Sequence, residues 1–224
     1  MLEIIITAGL LIFILWILFS HHKTTERNAK AINMSVFSIK SIEIFTDELD
    51  LLDVFRNMHL KGWNRFLYGD PYIGIEKVIK NGAAKYYLAI PKKYEGILEQ
   101  NPHVSKTEEK IFPEEKNYIA VYLDKNRPSV KFGELKLHEE EGMVLQILAR
   151  HLHHGSDHFE SNVRVMAWAD SRDRAAKILG LKKIKNRENR KNVFDFFYRI
   201  FQDGKRVKLS FTQLKEFLID KFAY

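Results

Sequence analysis

The chain has 224 residues, a formal charge of +7 and no cysteine. The lack of cysteine excludes disulfides, thiolate catalysis and cysteine-ligated zinc or iron–sulfur sites. The charge is uneven: residues 164–208 hold fourteen Lys/Arg against five Asp/Glu, a balance of +9, and the remainder is close to neutral. This segment therefore favours an anionic partner, which could be nucleic acid, lipid or an acidic protein, although a solvated helical face explains it equally well.

An apolar run opens the chain. Residues 4–19 read IIITAGLLIFILWILF, with Thr7 as the only polar member. A helix of this length measures about 24 Å, slightly less than the roughly 30 Å hydrocarbon core of a bilayer. Neither a basic start nor a small-residue cleavage site accompanies the run, so a cleaved signal peptide is the weaker interpretation. We expect a transmembrane anchor over residues 1–20.

Basic residues follow the anchor, among them Lys23, Arg27 and Lys30. An excess of Lys and Arg marks the cytoplasmic flank of a membrane span. The sequence thus predicts a single-pass protein of the inner, cytoplasmic membrane with its C-terminal domain in the cytoplasm. Residues 21–34 are polar and predict a tether between the anchor and that domain.

Residues 35–134 predict a first α+β unit. Asn81-Gly82 separates two alternating apolar runs within residues 73–91, which is the signal of a hairpin with a type I′ turn. Pro91 can open a helix without losing a needed N–H. The other predicted elements are a two-sided strand in 36–45, a helix in 47–59 and a strand in 117–124.

Residues 135–224 predict a second α+β unit with a basic, helical C-terminal part. Its predicted elements are a helix over 139–153, a strand over 163–167, a helix that follows Asp170 and ends at Gly180, an aromatic helix over 193–201, and a final helix that begins at the capping box Ser210-x-x-Gln213. Because strands alternate with helices, we expect an α+β fold built from one or two ferredoxin-like split βαβ units.

Four histidines and an aspartate lie close together in one segment. They are His151, His153, His154, Asp157 and His158. Imidazole is a common transition-metal ligand, so a metal-dependent hydrolase is one alternative. The spacing matches neither H-E-x-x-H nor the H-x-H-x-D-H arrangement of metallo-β-lactamase-like enzymes, and Gly155 and Ser156 interrupt the face that a helix would offer. A polar helix end followed by a loop is the favoured interpretation, and we expect no metal or other cofactor.

The stretch 180–201 combines basic and aromatic residues. Its cations are Lys182, Lys183, Lys185, Arg187, Arg190 and Lys191, which could contact the phosphates of lipid or nucleic acid. The aromatic residues could stack on bases. Val193, Phe197 and Phe201 nevertheless fall on one helical face, together with Ile200, so most of these aromatics are expected in the core. A nucleic-acid-binding protein is the other alternative.

Catalytic motifs are absent from the sequence. Gly204 is the only glycine followed by lysine, and no glycine stands five residues before it, which excludes a Walker A loop. No G-x-S-x-G, G-x-G-x-x-G or kinase signature occurs either. We therefore expect a protein that is not an enzyme.

Two segments resemble a known domain. Residues 73–104, above all AAKYYLAIPKKYEGILEQNPHV, resemble the membrane-proximal N-terminal domain of conjugative-transfer ATPases of the type IV secretion class, and NVRVMAWADSRDRAAKIL at 162–179 resembles a later strand–helix unit of that domain. The resemblance covers about a quarter of the chain. It implies an adaptor or scaffold with protein partners in a secretion or DNA-transfer assembly at the membrane. It does not imply ATPase activity, because no P-loop is present.

Overall fold

A computed structural model describes residues 2–40, 54, 58, 70–108, 111–123, 137–151, 158–181 and 185–219. The helices are α1 (Leu2–Ile32), α2 (Gly96–Glu99), α3 (Arg172–Ile178), α4 (Asn186–Phe197) and α5 (Phe211–Ile219), with 3-10 turns at Lys92–Tyr94 and Asp203–Lys205. The strands are β1 (Met34–Ile39), β2 (Ile73–Lys80), β3 (Ala83–Pro91), β4 (Val104–Lys106), β5 (Asn117–Leu123), β6 (Gly142–His151), β7 (His158–Ala169) and β8 (Val207–Ser210).

These eight strands of the described residues form one sheet. Their order is β4-β1-β3-β2-β6-β7-β5, and β8 joins the edge of β7. All of these pairings are antiparallel. Strand β7 has 12 residues. Its first part pairs with β8 from His158 to Ser161, and its last part pairs with β5 from Val163 to Ala169.

The hairpin over 73–91 is confirmed. Strands β2 and β3 pair from Lys80 opposite Ala83 to Gly74 opposite Ala89. The two residues between the strands have positive φ, 54° at Asn81 and 72° at Gly82. A positive φ at both central positions is the conformation of a type I′ turn, whose twist matches that of the two strands. The turn residues thus set the register of β2 against β3.

The predicted ferredoxin-like fold is wrong. The molecule is a mostly antiparallel sheet with few helices, and β2 pairs with β6, so strands from residues 35–134 and 135–224 share this sheet. The main error is the helix predicted over residues 139–153, because Gly142–His151 of this range form strand β6. Both faces of β6 are buried, so apolar residues fill consecutive positions, and such a run cannot be distinguished from a helical stripe by its spacing.

The predicted transmembrane anchor is also wrong. Among the described residues, no helix is long and apolar enough to cross a membrane. Helix α1 has 31 residues, but its apolar part ends at Phe19 and the rest is the polar segment that was predicted as a tether. The apolar part, at about 24 Å, is shorter than a roughly 30 Å hydrocarbon core. The predictions of a single-pass membrane protein and of a cytoplasmic-membrane location are overturned with it.

The two faces of the sheet carry different cores. On the first face Ile75, Leu145 and Val165 pack with their neighbours against α3 and against Leu214 of α5. On the second face Val144 and Trp168 pack with their neighbours against α4. Since successive side chains of a strand alternate between faces, one residue of register decides which helix a side chain meets.

Two of the predictions about helix ends are confirmed, and a third is not. The capping box at α5 is confirmed, because Gln213 N–H donates to Ser210 Oγ over 3.2 Å and Gln213 Oε1 accepts from Ser210 N–H over 2.9 Å. The end predicted at Gly180 is confirmed by its φ of 65° after α3. The residue that caps α3 is Ser171 and not Asp170. The helix predicted over 47–59 lies outside the described residues apart from the buried Val54 and Met58.

Gly142 begins β6 under the ring of Trp168. A Cβ at this position would lie 2.1 Å from Trp168 Cζ2, and Trp168 is fully buried. We expect Gly142→Ala to lower the free energy of unfolding by about 3 kcal/mol, the upper part of the usual range for overpacking. Chemical denaturation measures this change. Gly204→Ala is the matched control, because nothing lies within 4 Å of its added Cβ. Equal stability of the two variants would contradict the packing of Trp168.

Glu141 precedes β6 and binds α3. Arg174 donates to its carboxylate from Nε over 2.6 Å and from Nη2 over 2.7 Å, and these bonds hold the pKa of Glu141 below its usual value. A carboxyl whose pKa is lower in the folded state stabilises the protein above its unfolded pKa, and this stabilisation is lost as the pH falls through the folded pKa.

We therefore expect Glu141→Gln to reduce the free energy of unfolding by about 1–3 kcal/mol at pH 7, and by progressively less below about pH 4. Denaturant unfolding at a series of pH values measures the difference. Glu139→Gln removes an exposed carboxylate two residues away and serves as the control. A difference between Glu141→Gln and the unchanged protein that stays constant down to pH 2 would contradict the ion pair.

Candidate functional site

A row of polar side chains crosses the second face of the sheet. Glu76, Gln146, Arg164 and Tyr122 stand directly opposite one another on the adjacent strands β2, β6, β7 and β5. The first three are at most 1% exposed. Buried polar groups need partners. Most of the partners of this row lie in the C-terminal end of α4 and the loop behind it, so the row determines where α4 sits.

Glu76 and Arg199 form a buried ion pair at one end of the row. Arg199 Nε donates to Glu76 Oε1 over 2.7 Å and Nη2 donates to Oε2 over 3.1 Å, while Gln146 Nε2 donates to Oε1 over 2.7 Å. The side chain of Glu76 is 0% exposed and that of Arg199 is 14% exposed. A carboxylate at this depth requires such a paired arrangement.

Arg199 occupies a backbone position that normally belongs to glycine. Its φ is 50°, and it follows the C-cap residue Tyr198. Ile200 N–H donates to the carbonyl of Asp195 and Arg199 N–H donates to the carbonyl of Phe196, which together form a Schellman motif. A non-glycine residue in this conformation costs roughly 1–2 kcal/mol. The ion pair with Glu76 explains why an arginine stands here.

Arg164 and Gln146 bind the carbonyl end of α4. Arg164 Nη1 donates to the carbonyl oxygens of Asp195, over 2.8 Å, and Ile200, over 3.0 Å, and Gln146 Nε2 donates to the carbonyl of Phe196 over 3.3 Å. The last carbonyls of a helix lack partners within the helix and carry its negative dipole end. A buried cation is therefore favourable here.

The side chain of Asp195 completes this end of the site. Tyr122 Oη donates to Asp195 Oδ2 over 3.0 Å, and Gln202 Nε2 donates to Oδ1 over 3.0 Å. Burial raises the pKa of Tyr122 well above its usual value, so its phenol keeps its proton at neutral pH and can donate. Tyr122 Oη also accepts from Arg164 Nη1 over 3.2 Å.

Two asparagines of α4 form hydrogen bonds with backbone groups on the free edge of β5. Asn189 Oδ1 accepts from Ala120 N–H over 2.9 Å, and its Nδ2 donates to the carbonyl of Tyr118 over 2.9 Å. Asn192 Nδ2 donates to the carbonyl of Ala120 over 3.0 Å. An edge strand normally exposes these groups to pairing with another chain. The helix thus covers the edge and is itself fixed along its length.

The opposite side of α4 faces solvent. At about 100° per residue, five side chains fall within an arc roughly 100° wide on this side. We call them the outer stripe; they are Arg187, Arg190, Lys191, Phe194 and Tyr198. Phe194 is 52% and Tyr198 46% exposed, and outside α1 they are the exposed large hydrophobic residues of the described chain. Their ring centroids lie 4.6 Å apart.

The cations of the +9 segment divide into two groups. Arg174, Arg199 and Arg206 pair with carboxylates, and Arg164 is buried beneath α4. The cations of the outer stripe are exposed, and in the part of the chain that the structure describes they form no ion pair. Three exposed cations of this segment therefore share the solvent side of one helix, while Lys177 and Lys208 are exposed on other elements.

The structure places the six predicted anion-binding residues unequally. Arg187, Arg190 and Lys191 belong to the outer stripe, and Lys185 is exposed at the N-cap of α4. Lys182 and Lys183 lie outside the described residues. The aromatic residues also divide, because Phe196 and Phe201 are buried while Phe194 and Tyr198 are exposed. Most of the aromatics were expected in the core, but Phe194 and Tyr198 lie outside it.

Two members of the histidine cluster are described, at the end of β6 and the start of β7. His151 ends β6, where its ring meets Phe159 edge-on with centroids 5.6 Å apart, and His158 begins β7. His153, His154 and Asp157 lie outside the described residues. Within the described ranges, no group of three His, Asp or Glu side chains could hold a metal ion. The metal-dependent hydrolase remains an untested prediction.

Sequence reasoning did not identify the polar row. Its charged members lie within otherwise largely apolar strands: Glu76 in IGIEKVIK, next to Lys77, and Arg164 in VRVMAWA. This pattern is a usable signal, since a charge inside a buried strand must have a partner. It was missed because β6, which carries Gln146 between the two charges, was predicted as a helix.

Comparisons with protein families, with curated proteins and with solved structures found no match for this chain.

The ion pair between Glu76 and Arg199 can be tested by a double-mutant cycle. We expect Arg199→Gly and Glu76→Gln each to lower the free energy of unfolding by about 3 kcal/mol, because each leaves a buried charge without its partner. The double variant should lose at least about 1 kcal/mol less than the sum of the two. Denaturant unfolding at pH 7 gives all three values, and strictly additive values would contradict a direct interaction.

Arg199→Ala provides the control for backbone conformation. It removes the same guanidinium as Arg199→Gly but keeps a Cβ in the left-handed region, so it should be less stable than Arg199→Gly by about 1 kcal/mol. Equal stability of the two would show that the φ of 50° at this position carries no strain.

Proposed function

We propose that this protein is a non-enzymatic adaptor that binds an anionic macromolecular partner through the outer stripe of α4. One observation carries the proposal: three cations that form no ion pair with any described residue and two exposed aromatic rings share one face of a helix whose other face is fixed to the sheet. Aromatic residues and arginine are the residue types that dominate binding energy at interfaces.

The anchoring of α4 supports a binding role. Asn189 and Asn192 hold the middle of the helix, and Arg164, Gln146 and Arg199 hold its end. A rigid surface binds with a smaller loss of conformational entropy than a mobile one. The outer stripe is therefore a pre-formed surface, and its exposed rings lie where they serve no core.

The resemblance of residues 73–104 and 162–179 suggests the setting. These residues supply β2, β3, the short helices that follow and the strand–helix unit β7-α3. We propose a secretion or DNA-transfer assembly as the place in which the adaptor works. Nothing in the geometry of the described residues favours the metal-dependent hydrolase over this proposal.

The experiment measures binding of two anionic probes by fluorescence anisotropy, a glutamate-rich peptide and a twenty-residue oligothymidylate. We expect the full chain to bind at least one of them, and the triple variant R187Q/R190Q/K191Q to bind it about tenfold more weakly. This estimate assumes about 0.5 kcal/mol for each exposed charge contact. The affinity should fall as salt concentration rises.

The triple variant K80Q/K92Q/K208Q is the matched control. It removes the same number of exposed positive charges from other elements, so it changes the net charge without touching the outer stripe. Equal weakening in both triple variants, or no binding of either probe, would refute the proposed site. Turnover of a nucleotide or phosphoester at about 1 s⁻¹ or faster would overturn the assignment as a non-enzyme.

A further inference from the structure

The composition of the outer stripe changes along the helix axis. Its cations lie in the first half, at Arg187, Arg190 and Lys191, and its aromatic rings lie in the second half, at Phe194 and Tyr198. With a rise of about 1.5 Å per residue, the centres of the two groups are roughly seven residues, or about 10 Å, apart. A partner that fits must carry negative and apolar groups at that separation.

We infer that this partner is an acidic amphipathic helix of another protein, an inference that rests on the outer stripe being the binding site. Residues seven apart on a helix lie on the same face, two turns from each other. A helix with acidic residues at one end and apolar residues two turns away would therefore contact both groups at once. Two helices that pack side by side through such faces, as in coiled coils, are a common mode of protein association.

The electrostatics of α4 favour acidic residues at the first end. The N-terminus of a helix carries a partial positive charge, and Arg187 lies in the first turn of α4 next to the exposed Lys185. The cations outnumber Glu188, the exposed acidic residue of this turn, and they act in the same direction as the dipole. At the second end the potential is weaker, and the exposed apolar area of Phe194 and Tyr198 gains most from apolar contact.

The arrangement of the rings argues against single-stranded nucleic acid. Proteins that bind it offer open aromatic faces within a basic groove that follows the phosphates. Here the two rings contact each other, with 44° between their planes and 4.6 Å between their centroids, so each covers part of the face of the other. The cations lie to one end of the rings and do not flank them, and the surface of a single helix is convex.

The test is a selection from a displayed library of helical peptides about eighteen residues long, with the full chain as bait. We expect the selected peptides to carry Asp or Glu near one end and Leu, Ile, Phe, Trp or Met about seven positions away. A synthetic consensus peptide should bind the unchanged protein at least tenfold more tightly than either R187Q/R190Q/K191Q or F194Q/Y198Q. It should bind K80Q/K92Q/K208Q with unchanged affinity.

The F194Q/Y198Q variant replaces two exposed side chains, so its melting temperature should match that of the unchanged protein, and this is measured first. Peptides selected without the acidic and apolar pattern, or binding insensitive to both outer-stripe variants, would overturn the inference. Tighter, stripe-dependent binding of oligothymidylate would also overturn it, but would leave the proposed anionic-partner function intact. Failure of every probe would refute that function as well.

Discussion

The position of α4 depends on one buried carboxylate. Glu76 lies in the middle of the sheet with its side chain 0% exposed, and its guanidinium partner comes from Arg199, 123 residues later. Leaving either charge unpaired at this depth would cost several kcal/mol. The chain returns to this point with Arg199 in a left-handed conformation that ends α4. The outer stripe is oriented to solvent as a consequence.

The polar row contributes more to the uniqueness of this arrangement than to the overall stability. Arg164 Nε and Nη2 and Gln146 Oε1 are buried and have no hydrogen-bond partner within the described residues. Such groups lower stability, and well-packed apolar residues often serve as well in their place. An apolar row would, however, tolerate a shift of α4 along its axis. Directional hydrogen bonds from Arg164 and Gln146 to the end of α4 do not tolerate such a shift. These bonds therefore fix which residues of α4 face outward.

The sequence predicts this structure well where the determinants are local. The type I′ turn at Asn81-Gly82 and the capping box at Ser210 follow from backbone preferences of a few residues. Strand β6 could not be recognised, because the burial of both of its faces depends on α3 and α4, which lie later in the chain. The outer stripe was half predicted. Its cations stood out by charge, but Phe194 and Tyr198 could be separated from buried neighbours only once the sheet-facing side of α4 was known.

The formal charge of a segment overstates what it offers to a partner. Arginine, with a planar guanidinium that binds carboxylates through two N–H groups, suits buried pairing. Arg174 and Arg199 are used in this way within the fold, Arg206 pairs with Glu160 at the surface, and Arg164 binds backbone carbonyls, so the charge of these four arginines is largely compensated before any partner approaches. Part of the uncompensated charge lies on α4, where the asparagines that bind β5 leave the opposite side of the helix open. The same contacts that cover a sheet edge therefore determine where the proposed binding surface lies.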